Sequence, residues 1–166
     1  MNQGILHGMI SINDMLNNVY IEKLNKKITL DKLAILIIRG GWPSNISTEE
    51  NKIGIIPKSY IEAILDKDIN DDKKRDKNKM GMLLKSLARN ETTIANKNTL
   101  LKDIEDFANE KEIIESRTTI DDYLDVLNRL NIIENQDAYN ENYRSPERVG
   151  KTAKRHFVDP SLACAC

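Results

Sequence analysis

SRTTIDDYLDVLNRLN, residues 116–131, is the stretch on which the reading of the fold depends. Its apolar positions Ile120, Tyr123, Leu124, Leu127 and Leu130 recur three and four residues apart, the spacing of one helix face. Thr119 is the expected N-cap, with Asp121 and Asp122 in the first turn, where the helix dipole favours negative charge. Ile132-Ile133 and RHFVD (residues 155–159) then read as two short strands joined by a long polar loop. The chain therefore closes with a helix and a hairpin, and the fold follows from what precedes them.

Upstream, a helix is expected from about Lys79, carrying Met82, Leu83, Leu87 and Ala88 and ending in the polar RNETT. Thr99 is placed to cap a short helix with Leu100, Leu101, Ile104 and Phe107 inward. Three helices followed by a two-stranded hairpin is the order of a winged helix-turn-helix. Before them lies DKDINDDKKRDKNK (residues 66–79), with five acids and six bases. Such a mixed-sign run reads as a solvated helix end or linker, here the seam between two halves.

The first half is helical as well. Ser11 and Asp14 mark a helix start, and Thr29-Leu30-Asp31 opens a second helix with Leu30, Leu33, Ile37 and Ile38, stopping at Gly40. Pro57 is expected as the first residue of a third, whose Tyr60, Ile61, Ile64 and Leu65 form one stripe. The expected class is mainly α. A helical part spans residues 1–70, a winged helix with a short β-hairpin residues 71–159, and a further element starts over residues 160–166.

Bulk properties narrow the function. With 166 residues, 40% hydrophobic and 31% charged, the chain suits one domain or two small ones. Lys plus Arg number 25 against 26 Asp plus Glu, a net charge of −1, which argues against a protein whose main task is coating nucleic acid or an anionic membrane. The longest apolar run, Leu33 to Ile38, is far short of the ~20 residues of a membrane span. The N-terminus lacks the pattern of a secretory signal, so a cytoplasmic location is expected. Cys164 and Cys166 read as two reduced thiols with no metal cluster around them.

Motifs with chemistry are few. Gly150-Lys151-Thr152 matches the end of a phosphate loop, but position 145, where the signature needs glycine, is Ser. Pro146 beside it lacks an N–H to donate. The histidines, His7 and His156, have no partner that sequence identifies; His156 reads as a solvent-facing strand residue. No catalytic residue, cofactor or metal site is expected.

The third helix of the expected winged helix carries Asp121, Asp122 and Asp125 against Arg117 and Arg129, a poor surface for duplex DNA. Residues 141–156 hold five bases, Arg144, Arg148, Lys151, Lys154 and Arg155, against two acids, a net of +3. Contact with nucleic acid through this basic wing is one of two functional readings. IRGGWPSN (residues 38–45) holds the sole tryptophan. Gly40 and Gly41 are expected to end a helix, Pro43 to prevent its resumption, and Trp42 to pack back on Leu36, Ile37 or the following helix.

Six strings occur in an order that is similar to a known family: ISINDML (10–16), IIRGGWPSNI (37–46), YIEAILDKDI (60–69), LLKSLARN (83–90), TIDDYLDVLNRLNIIE (119–134) and HFVDPSLACA (156–165). Together they resemble the C-terminal region of prokaryotic AAA-type P-loop ATPases that carry a C-terminal domain of unknown function. The resemblance implies a helical linker and a winged helix, lying between an ATPase module and a restriction-endonuclease-like fold. It marks the turn Gly40, Gly41, Trp42 and Pro43 and the helix end Ser86, Leu87, Ala88, Arg89 and Asn90. Without a phosphate loop, ATP hydrolysis does not carry over to this polypeptide. The resemblance implies a non-catalytic fragment or stand-alone relative, in contact with an ATPase module or another protein. A truncated reading frame without function of its own is the remaining reading.

Overall fold

A computed structural model describes residues 28–67, 75–107, 117–139 and 151–166. Among them are six α-helices and two strands: α1 Leu30–Arg39, α2 Ile55–Asp66, α3 Lys77–Arg89, α4 Lys97–Phe107, α5 Arg117–Arg129, β1 Ile133–Gln136, β2 Lys154–Phe157 and α6 Pro160–Ala165. The mainly α class with a hairpin near the C-terminus is as expected. The helix start at Ser11 and the loop of residues 140–150, with Arg144 and Arg148, lie outside the described residues. Two compact units divide between Leu33 and Ala34, within α1.

Several helix ends are written in local chemistry. The Thr29 hydroxyl accepts from the Lys32 N–H at 3.3 Å and opens α1; Gly40, at φ +63°, closes it. Helix α2 starts at Ile55, two residues before the expected Pro57. Its first turn bond is the Lys58 N–H to the Gly54 carbonyl at 3.3 Å, so the N–H that Pro57 lacks is not needed. Helix α3 likewise starts earlier than Lys79, because the Asp76 carboxylate accepts from Asn78 N at 2.8 Å and Lys79 N at 3.1 Å.

Thr99 does not cap α4. Asn96 does, its Oδ1 accepting from the Thr99 N–H at 3.0 Å, which puts Thr99 inside the first turn. Nor does Thr119 cap α5: the helix already includes Arg117 and Thr118, neither of which opposes helical geometry. At its other end, Asn131 N donates to Asn128 O at 3.0 Å and Ile132 N to Leu127 O at 2.9 Å. With Asn131 at φ 52°, this is the left-handed two-bond closure that ends many helices. It turns the chain straight into β1.

The hairpin pairs Ile133 with Phe157, Glu134 with His156, Asn135 with Arg155 and Gln136 with Lys154. Alternation places Ile133 and Phe157 inward, and both are buried. One apolar cluster joins Ile61 and Ile64 of α2, Met80, Leu83, Leu84 and Leu87 of α3, Leu100 and Ile104 of α4, Ile120, Tyr123, Leu124, Val126 and Leu127 of α5, the hairpin and Leu162 of α6. Helix α6 packs on α2, α3 and β2, so the last residues of the chain sit against its middle.

The charged run 66–79 is not uniformly solvated. Arg75 is buried, and its guanidinium holds Asp122 of α5 through Nε–Oδ2 at 2.9 Å and Nη2–Oδ1 at 3.2 Å. The Tyr123 hydroxyl accepts the Asp76 N–H at 3.1 Å beside it. The same run therefore pins the start of α3 to α5.

Candidate functional site

The Gly-Gly-Trp-Pro turn meets the Asp159-Pro160-Ser161 segment, 118 residues further along the chain. Asp159 leaves β2 in extended geometry and caps α6, its Oδ1 accepting from Ser161 N at 2.8 Å. Its other oxygen accepts from Gly41 N at 2.7 Å. The Trp42 indole N–H donates to Ser161 Oγ at 2.8 Å, and the ring lies 4.9 Å from that of Tyr60 on α2. Of the three packing partners open to Trp42 in the sequence, the following helix is the one this ring contact realises.

Gly40 is required twice. Its φ of +63° suits glycine, and a Cβ there would come 2.5 Å from Asp159 Oδ1 and 2.8 Å from Ser161 Cβ. The turn is closed over a buried serine rather than open to a ligand. Burial alone would raise the Asp159 carboxyl, but donors from the Ser161 side chain, Gly41 N–H and Ser161 N–H hold it below the ordinary value of 3.8.

The rest of the loop is pinned by residues that the sequence did not single out. Arg39 Nη1 donates to the carbonyls of Asn45 at 2.6 Å, Ile46 at 3.2 Å and Thr48 at 2.9 Å. Buried Asn45 donates through Nδ2 to the carbonyls of Arg39 and Ile53, each at 2.7 Å. A cation in the last turn of α1 was the available signal for Arg39. Asn45 offered none beyond its place after a proline.

The second marker segment also resolves into structure. Ser86 and Leu87 are buried. Ser86 Oγ lies 3.3 Å from Asp103 Oδ2, Asn90 Nδ2 donates to the same oxygen at 2.6 Å, and Arg89 Nη1 stands 3.7 Å from Asp103 Oδ1. Asp103 of α4 thus gathers three of the marked residues and ties α3 to α4. Arg89 is the last residue of α3, with Asp103 beside it.

The basic wing is divided. Lys151 and Lys154 are exposed, whereas Arg155 is half-buried and donates to Asn135 Oδ1 at 3.2 Å. Desolvation lowers the Arg155 guanidinium from its ordinary value, with Asp121 opposing that effect. His156 is not simply solvent-facing: Nδ1 stands 3.5 Å from Glu91 Oε1 and Nε2 is 3.1 Å from Gln136 Oε1. Glu91 also accepts the Phe157 N–H at 3.1 Å, clamping β2 to the end of α3. On α5, Asp121 pairs with Lys97 and Asp122 with Arg75.

Among the described residues, no three His, Cys, Asp or Glu side chains converge as a metal site would require, and no helix is long and apolar enough to cross a membrane. Cys164 and Cys166 are free thiols. Burial pushes the Cys166 thiol up to about 12, which makes it a poor nucleophile.

One surface stands apart from this dense bonding. Helix α1 buries none of its residues although seven of its ten are Leu, Ile or Ala. Leu30 is 84% exposed, Leu33 46%, Ile37 39% and Ile38 37%.

No curated protein and no solved structure matches the chain. A family match covers residues 30–166, from the first residue of α1 to the last residue of the chain. The chain belongs to the family described as Domain of unknown function (DUF8612).

Proposed function

We propose that the chain is a non-catalytic interaction module that acts in the cytoplasm and docks an ATPase module or another protein through α1. The observation that carries this reading is the pair of exposed side chains Ile37 and Ile38, in the part of α1 that belongs to the larger unit, on a helix with no buried residue. Exposed apolar side chains on a helix of a protein of ordinary charge suit a partner site. An apolar helix face docks by laying residues spaced three, four and seven apart into a groove.

The AAA-type assignment rests on the six ordered strings, and the winged-helix assignment on the order α3, α4, α5, β1, β2. Within that reading the latch has a task. Gly41 and Trp42 tie the C-terminal end of α1 to α6, so a partner seated on Ile37 and Ile38 pulls on a fixed point.

The test is site-specific photo-crosslinking in cells, with a benzoylphenylalanine at position 30 or 33 and a control at exposed Lys102 on α4. The expected result is an adduct from α1 with a protein that carries a P-loop ATPase module, and none from position 102. Equal adducts from both helices, or no protein adduct from α1, would overturn it.

A further inference from the structure

We propose that the surface beside the Gln136–Lys154 end of the hairpin is a binding site for single-stranded nucleic acid, with Tyr139 as the stacking platform and Lys154 as a phosphate contact. A cleft of 510 Å³ opens there, with Ile94, Gln136, Asp137, Tyr139, Lys151 and Lys154 in its walls. Tyr139 is 86% exposed and Ile94 61% exposed, an apolar and aromatic surface beside two lysines. Cations bordering an exposed ring suit a ligand that is anionic along its backbone and planar in its bases. Stacking serves any base, because every base has a π-face.

The size of the cleft and its neighbours favour one strand over two. Its volume falls within the ~300–1,000 Å³ of small-ligand pockets, room for a nucleotide or two rather than a duplex. Helix α5, the duplex reader of a winged helix, carries Asp121, Asp122 and exposed Asp125, and the first two are paired to Lys97 and Arg75. Among the described wall residues, Asp137 is the carboxylate and Lys154 the cation offered to phosphate. This site is separate from α1, so either reading can fail alone.

Fluorescence anisotropy of the full chain tests it, with a labelled oligothymidine strand, a uridine strand of equal length and a duplex. Both single strands should bind with salt-sensitive affinity and the duplex more weakly. The ratio of the two strands tells whether DNA or RNA is preferred. Tyr139→Ala should weaken binding about ten-fold, Tyr139→Phe should retain it, and Lys154→Glu should weaken it and flatten the salt dependence. Because both side chains are exposed, circular dichroism of each variant should match the parent. No binding, preference for the duplex, or a Tyr139→Ala variant that binds like the parent would each overturn the proposal.

Discussion

The Gly-Gly-Trp-Pro turn and the helix that leads into it are neighbours in sequence and opposites in structure. The turn is polar in backbone and odd in composition, yet Gly41 and Trp42 each bond to a residue more than a hundred positions away. Helix α1 is rich in isoleucine and leucine, yet none of its residues is buried. Apolar content does not decide burial; the presence of a complementary surface does. The turn has one in Asp159 and Ser161. The helix has none among the described residues.

The largest break in that contrast is Trp42→Ala. It removes a half-buried ring and leaves Ser161 Oγ without its indole donor, so stability should fall by about 3 kcal/mol. For a chain of this size that corresponds to a melting temperature lower by roughly 6–12 °C, read by thermal denaturation. Gly40→Ala comes next, at about 2 kcal/mol, because an L-residue is forced into left-handed geometry against Asp159 and Ser161. Crystallography or amide exchange of that variant should show the turn parted from α6.

Asp159→Asn should cost roughly 1 kcal/mol at neutral pH, because the acceptor of three donors loses its charge. The sign with pH follows from a folded pKa held below 3.8. The contribution is complete above the unfolded value and is lost as pH falls below it through the folded one. Urea midpoints of parent and variant should therefore converge in acid and separate above about pH 5. Gly81→Ala sharpens the comparison from the other side. A Cβ at Gly81, inside α3, meets nothing within 4 Å, so the variant should gain about 0.5–1 kcal/mol in the same assay. Smallest of all is Ile37→Glu on α1. It should shift stability by less than about 0.5 kcal/mol while abolishing the α1 crosslink.

How far the sequence could be read follows the same division. Helical periodicity located α3, α4 and α5; of the inward set, Leu83, Leu87, Leu100, Ile104, Ile120, Tyr123, Leu124 and Leu127 are buried, whereas Met82, Ala88, Leu101 and Leu130 are only partly so. Helix starts were displaced by two or three residues, since Pro57, Thr99 and Thr119 all tolerate an interior first-turn position as well as the boundary. Gly40 as a left-handed stop and Trp42 as a packed residue were legible from residue type alone. Their partners were not: Asp159 and Ser161 lie over a hundred residues away, and no local pattern announces such a contact. Arg75 was hidden in a run of like residues, and only the acid on α5 distinguishes it. Asp103, which gathers Ser86, Arg89 and Asn90, had no local signal either. The exposure of α1 ran against its composition altogether.

The central claim is that the tryptophan turn is a latch on the last helix and not a ligand site. A double-mutant cycle of Trp42→Phe and Ser161→Ala, followed by urea unfolding with far-UV circular dichroism, tests it most directly. A coupling of about 1 kcal/mol is expected, since each single change removes the same indole–hydroxyl bond. Additive effects, to within about 0.3 kcal/mol, would contradict it.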